Sequence, residues 1–87
     1  MTELRLRHQD LKWREIEGEM VAVDIRTSTY LSANRSGMAL WEPLSEGTSH
    51  AALVETLVAA FGIDHGDAAA DVDAFLAELR ARDLLEG

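Results

Sequence analysis

No cysteine occurs among the 87 residues. That absence excludes a disulfide framework, a thiolate nucleophile and cysteine-based zinc sites. It suits a reducing compartment, and a cytoplasmic location is expected. Proline occurs once, at Pro43, and no low-complexity segment or linker interrupts the chain. Glycines stand singly at Gly18, Gly37, Gly47, Gly62 and Gly66, so no glycine-rich loop is available to cradle phosphate. No apolar run approaches the roughly 18 residues of a membrane span, and the N-terminus lacks an apolar signal core. Bases are scarce: 8 Lys and Arg against 16 Asp and Glu leave a net charge of −8. Such a surface repels phosphate and favours a basic partner, which argues against nucleic acid.

What remains is a globular composition, 47% hydrophobic. One domain spanning residues 1–87 is expected, burying about 60–65% of its unfolded surface. The charge is uneven. Residues 64–87 hold seven acids against Arg80 and Arg82, a local charge of −5. By contrast, residues 1–18 balance four acids with four bases.

Hydrophobic spacing divides the chain into strands and then helices. Met1 to Asp10 forms either an edge strand or a loose arm. Leu11 to Ile16 alternates, with Leu11, Trp13 and Glu15 on one face and Lys12, Arg14 and Ile16 on the other. Glu17-Gly18 suits a tight hairpin turn. Met20 to Ile25 returns, and its β-branched face of Val21, Val23 and Ile25 is expected to face the core. A polar connection leads to a short strand at Thr29, Tyr30, Leu31 and Ser32. Neighbours on a strand point oppositely, so Tyr30 and Leu31 cannot both enter one core. Asn34 is an expected N-cap for a first helix carrying Met38, Trp41 and Leu44. Pro43 is expected to stop or kink that helix near Glu42. Thr48 is expected to cap a second helix that ends at Gly62. Asp64 caps a third, with Asp67 supporting its N-terminal dipole. The apolar stripe of the third helix is Ala68, Val72, Phe75, Leu76 and Leu79. Asp71, Phe75, Glu78 and Arg82 follow one flank of that stripe; Ala69, Asp73, Leu76 and Arg80 follow the other. Three strands followed by three helices make an α+β fold.

Catalytic signals are weak. His8, His50 and His65 lie in polar stretches far apart. Asp64, His65, Asp67 and Asp71 can be drawn as a metal cluster, but the spacing matches no known site and Asp64 and Asp67 already serve the N-terminus of the third helix. No Ser has a base and an orienting acid in a recognisable motif. Trp13, Trp41, Phe61 and Phe75 read as core or half-buried anchors. Neither an enzyme nor a cofactor or metal site is expected.

An ordered pattern runs from about Leu11 to Leu85. It comprises an apolar strand ending in Asp (Val21, Val23, Asp24), an aromatic next strand (Tyr30), Asn and Gly three apart (Asn34, Gly37), Trp41, and Asp-Val-x-x-Phe-Leu-x-x-Leu (Asp71, Val72, Phe75, Leu76, Leu79). This pattern resembles the PqqD-like family, the leader-peptide recognition domains of ribosomally made, modified peptides. The chain departs from it at Thr27-Ser28-Thr29 and at Asp83, where relatives often carry Gly.

The resemblance implies a winged-helix-like fold and binding of a precursor's leader peptide. It looks most like the stand-alone recognition proteins of lasso peptide biosynthesis, which work beside a leader peptidase and an ATP-dependent cyclase. Leaders of that type carry a Tyr and a Pro three residues apart. The leader is expected to add as a strand along Thr29, Tyr30, Leu31 and Ser32. Its side chains would then meet Val72, Phe75, Leu76 and Leu79, with Asp71 and Glu78, or else Asp73, at the rim. Three alternatives stand beside this reading: a PqqD-type peptide chaperone of pyrroloquinoline quinone biosynthesis, a winged-helix DNA-binding regulator, and a domain that dimerises through the same edge.

Overall fold

The computed structural model describes residues 3–86. Its elements run β1 (Arg5–Leu6), β2 (Leu11–Ile16), β3 (Glu19–Asp24), β4 (Thr29–Ala33), α1 (Arg35–Glu46), α2 (His50–Phe61), α3 (His65–Ala81) and β5 (Leu85–Glu86). The three-stranded antiparallel sheet has the order β2-β3-β4 and is followed by three helices, an α+β fold. Winged-helix describes this arrangement only loosely. The first ten residues supply β1, which pairs antiparallel with β5 and so joins the two ends of the described chain. Leu4 adds an isolated bridge to Thr48.

Local chemistry sets most of the element ends. Ile16 pairs with Glu19 across the two-residue turn Glu17-Gly18, and both turn residues have positive φ, at 50° and 82°. That is the geometry a right-twisted hairpin prefers, and Gly18 meets it without strain. Asn34 accepts a hydrogen bond from the Gly37 N–H at 3.1 Å, and Asp64 accepts one from the Asp67 N–H at 2.8 Å. Gly62 closes α2 in the left-handed conformation, its N–H donating to the Val58 carbonyl. Ser28 and Asp83 both take φ of 58°. Asp is among the residues that reach this region at modest cost.

Three sequence expectations need correction. The first concerns β3, whose core face carries Met20, Ala22 and Asp24, not the valines. Ala22 is 1% exposed and Met20 5%, whereas Val21 and Val23 are half-buried on the opposite face. β-branching marks a strand but not which of its faces is buried. The inward face instead takes a small residue beneath α1 and a carboxylate held by Arg7 at 2.8 Å. The second concerns α1, which runs through Pro43 to Glu46. Proline forgoes one hydrogen bond there, but the last turn has other partners. The Pro43 carbonyl accepts from the Gly47 N–H at 2.9 Å. The Ser45 and Glu46 carbonyls meet His8 Nε2 at 2.8 Å and Arg5 Nη2 at 3.2 Å. Third, Ser49 caps α2, accepting from the Ala52 N–H, because Thr48 is engaged with Leu4.

The core lies between the inner sheet face and the three helices. Leu6, Leu40, Leu44, Leu53, Leu57 and Leu79 are at most 1% exposed. Each such burial contributes about 1.5–3 kcal/mol relative to exposure. Trp41 is 3% exposed and sits edge-on between Trp13, with centroids 5.7 Å apart, and Phe75, 6.4 Å apart. Its indole Nε1 is buried with no hydrogen-bond partner.

Candidate functional site

The site is built on β4 and α3. Within the sheet β4 pairs with β3 alone, from Asp24–Thr29 to Met20–Ala33, so its other edge is open among the described residues. Arg82 Nη1 donates to the Tyr30 carbonyl at 3.4 Å across that edge. The Tyr30 carbonyl therefore points away from β3. The alternation of an antiparallel ladder turns the backbone groups of Ser32 the same way. Both residues thus turn their main-chain groups outward, and among the described residues only the Tyr30 carbonyl is met, by Arg82.

Beside this edge, α1 and α3 enclose a cleft of about 370 Å³ lined by Asn34, Ser36, Gly37, Leu40, Asp71, Ala74, Phe75 and Glu78. Gly37 makes this closeness possible. A Cβ there would lie 2.8 Å from Ala33 Cβ and 3.0 Å from Phe75 Cε1. The Asn34 cap then starts α1 directly after β4, so strand edge and cleft are contiguous. The cleft therefore pairs an aromatic floor at Phe75 with a carboxylate rim at Asp71 and Glu78. Glu78 is bridged to Arg82, Nη2 to Oε1 being 2.8 Å.

A second set of residues holds β4 in position. Asp24, buried at the end of β3, accepts from Arg7 Nη2 at 2.8 Å and from the Arg26 N–H at 3.0 Å. Arg26 Nη2 also meets Asp83 Oδ2 at 3.0 Å, and Arg7 Nε donates to the Asp83 carbonyl at 3.1 Å. The N-terminal arm, the β3–β4 turn and the C-terminal end of α3 are thereby fastened together. Burial pushes the Asp24 carboxyl upward, but the charge of Arg7 and the Arg26 N–H and guanidinium outweigh it. The net position is below the ordinary carboxylate range.

The expected site residues separate clearly in space. Thr29, Tyr30, Leu31 and Ser32 lie on the open edge strand. Leu31 turns inward and is 8% exposed, whereas Tyr30 turns to the opposite sheet face and is 71% exposed. Asp71, Phe75 and Glu78 line the cleft. Val72, Leu76 and Leu79, at 0%, 2% and 0% exposure, are core side chains beneath it. Of the two flanks of α3, the one carrying Asp71 and Glu78 faces the cleft. Asp73, on the other flank, pairs with His50 of α2 at 2.7 Å. Sequence reasoning missed Asn34, Ser36, Gly37, Leu40 and Ala74 as lining, and the Arg7–Asp24–Arg26–Asp83 network. The only sequence signal for the network was an Asp at the end of an otherwise apolar strand. No group of His, Asp and Glu able to hold a metal ion occurs among the described residues, and no described helix is long and apolar enough to cross a membrane.

An open, uncharged strand edge beside an aromatic, acid-rimmed cleft defines a small α+β domain suited to an extended chain. The family model described as coenzyme PQQ synthesis protein D (PqqD) matches residues 19–85, and the chain belongs to that family. No curated protein matches it. Two solved structures share its fold. TbiB1 in complex with the TbiA(beta) leader peptide is 26% identical, with a TM-score of 0.84 and 95% of each chain covered. Lasso peptide synthetase B1 complexed with the leader peptide is 23% identical, with a TM-score of 0.84, covering 99% of this chain and 100% of that one.

Proposed function

We propose that the chain is a non-catalytic recognition domain for the leader region of a ribosomally made precursor peptide, of the lasso type, acting in the cytoplasm. The leader adds as an antiparallel strand to β4, taking up the outward backbone groups of Tyr30 and Ser32 and replacing Arg82 at the Tyr30 carbonyl. One anchor side chain enters the cleft over Phe75. Main-chain bonds supply affinity, and the cleft supplies sequence choice. Asp71 and Glu78 favour Lys or Arg on the leader. The domain then presents the bound precursor to a leader peptidase and a cyclase. The observation that carries this reading is the contiguity of the open β4 edge with the Phe75 cleft. Family membership and the likeness to TbiB1, solved in complex with a leader peptide, support it. The DNA-binding alternative fares poorly, because the exposed flank of α3 carries carboxylates where phosphate contacts need bases. No comparison favours the pyrroloquinoline quinone alternative over the lasso reading.

The test is titration with a synthetic leader followed by amide exchange on the complex. Residues 29–32 should gain protection. A leader that binds without protecting them would rule out strand addition while leaving peptide binding intact.

A further inference from the structure

The sheet has a second, uncovered face. Register places Lys12, Val23 and Tyr30 in one row across the three strands, and Arg14, Val21 and Ser32 in the next. Ile16 lies on the same face by alternation, and Ile25 begins the turn that follows β3. The exposed large hydrophobic residues of the described chain are Ile16, Ile25 and Tyr30, at 43%, 51% and 71%. Ile16 and Tyr30 therefore fall on this one face, around the half-buried Val21 and Val23, with Ile25 in the turn that borders it. Scattered apolar residues need no explanation, but a contiguous group on one face marks a contact surface.

The charge pattern identifies the kind of partner. Lys12 and Arg14 stand exposed among these apolar residues, and neither forms an ion pair among the described residues. Most other arginines are engaged: Arg5 with Glu3, Arg7 and Arg26 with Asp24, and Arg82 with Glu78. In a chain of net charge −8, two free cations side by side on β2 make this the face an acidic surface can approach. Glu19, opposite Ile16 at the hairpin end, is the carboxylate that β3 places on it. Elsewhere the acids repel such a partner, so the two cations also orient it.

We infer that this open sheet face docks a protein partner whose contact patch is apolar at its centre and rimmed by carboxylates. Tyr30 and the valines form the apolar part of the contact, and Lys12 and Arg14 the charged part. The face borders β4. A strand added there would lie at the edge of the docked partner, which would then contact domain and bound peptide together. The partner chosen for the test, the leader peptidase of the same pathway, rests on the function proposed above.

The experiment titrates the intact chain with that recombinant peptidase at low salt and, separately, with the synthetic leader. Lys12→Glu/Arg14→Glu should weaken peptidase binding about tenfold or more while leaving leader affinity and Tm unchanged. Lys12→Arg/Arg14→Lys should retain binding. Peptidase affinity unaffected by the reversal, or no binding by the wild-type chain, would overturn the proposal. So would a dimer seen by sedimentation and lost in the reversal variant, because the occupant would then be a second copy. Failure of the leader to bind would count against the proposed function alone, since the peptidase titration judges the sheet face independently.

Discussion

Neither edge of the three-stranded sheet has a strand partner among the described residues, and the two differ in kind. β2 carries Lys12, Arg14 and Glu15 within six residues, and charges on an edge strand discourage another chain from pairing with it. β4, Thr-Tyr-Leu-Ser-Ala, carries none. β4 also lies beside the Phe75 cleft, whereas β2 borders a different hollow, lined by Trp13, Met38, Trp41 and three glutamates. An open edge is therefore not a binding site by itself. Both edges have a hollow beside them, so the proposed function rests on β4 because that strand is uncharged and its neighbouring cleft has Phe75 as its floor.

The comparison can be broken or sharpened in several ways. Trp41 lies in the core between Trp13 of β2 and Phe75 of the cleft. Trp41→Ala should cost ~3–5 kcal/mol of stability in urea unfolding. A variant that melts like wild type yet fails to bind leader would move Trp41 from the scaffold into the site. Gly37→Ala should act on the β4 side alone. Its new methyl group must displace Phe75 or Ala33, at about 1–3 kcal/mol, and should narrow the cleft enough to lower leader affinity. Unchanged affinity there would remove the cleft from the site. Replacing the leader Tyr by Ala should cost ~2 kcal/mol, about thirtyfold in Kd. Amide protection appearing at residues 11–16 instead of 29–32 would reverse the assignment of the edges.

Asp24, which anchors the end of β3 between the two edges, provides a pH test. Its carboxyl titrates below its ordinary value in the folded chain. The stability it contributes is therefore full above about pH 4, the ordinary unfolded value, and is lost as pH falls through the folded one. Urea midpoints of wild type and Asp24→Asn should differ at pH 6 and converge in strong acid. Curves that stay parallel would show that the Arg7 pair is not what holds this corner. Glu78→Lys should have a smaller effect, slowing association with a basic leader and flattening its salt dependence. The smallest expected effect is none: EDTA should leave Tm and leader affinity unchanged. A fall in Tm restored by one divalent ion would count against a metal-free site.

Much of this protein was legible in the chain itself, because short-range chemistry decides it. Asn34 and Asp64 cap their helices through side chains three residues from the N–H groups they accept. Gly62 ends α2, Glu17-Gly18 turns the first hairpin, and the 3.6-residue period of α3 marks Val72, Leu76 and Leu79 as one stripe. Other features needed the tertiary structure. Alternation reveals that β3 has two faces but not which one meets the helices; Ala22 beneath α1 and Asp24 against Arg7 settle that. Pro43 marks a weak point, but whether α1 ends there depends on Arg5 and His8, 41 and 37 residues from the carbonyls they meet. The choice between Asp73 and the pair Asp71 and Glu78 at the cleft turned on which flank of α3 packs against α2, where His50 holds Asp73. Local sequence encodes caps, turns and periods through neighbours a few bonds apart. The faces that become core or cleft are set by contacts between elements distant in sequence, and those contacts form only when the elements pack.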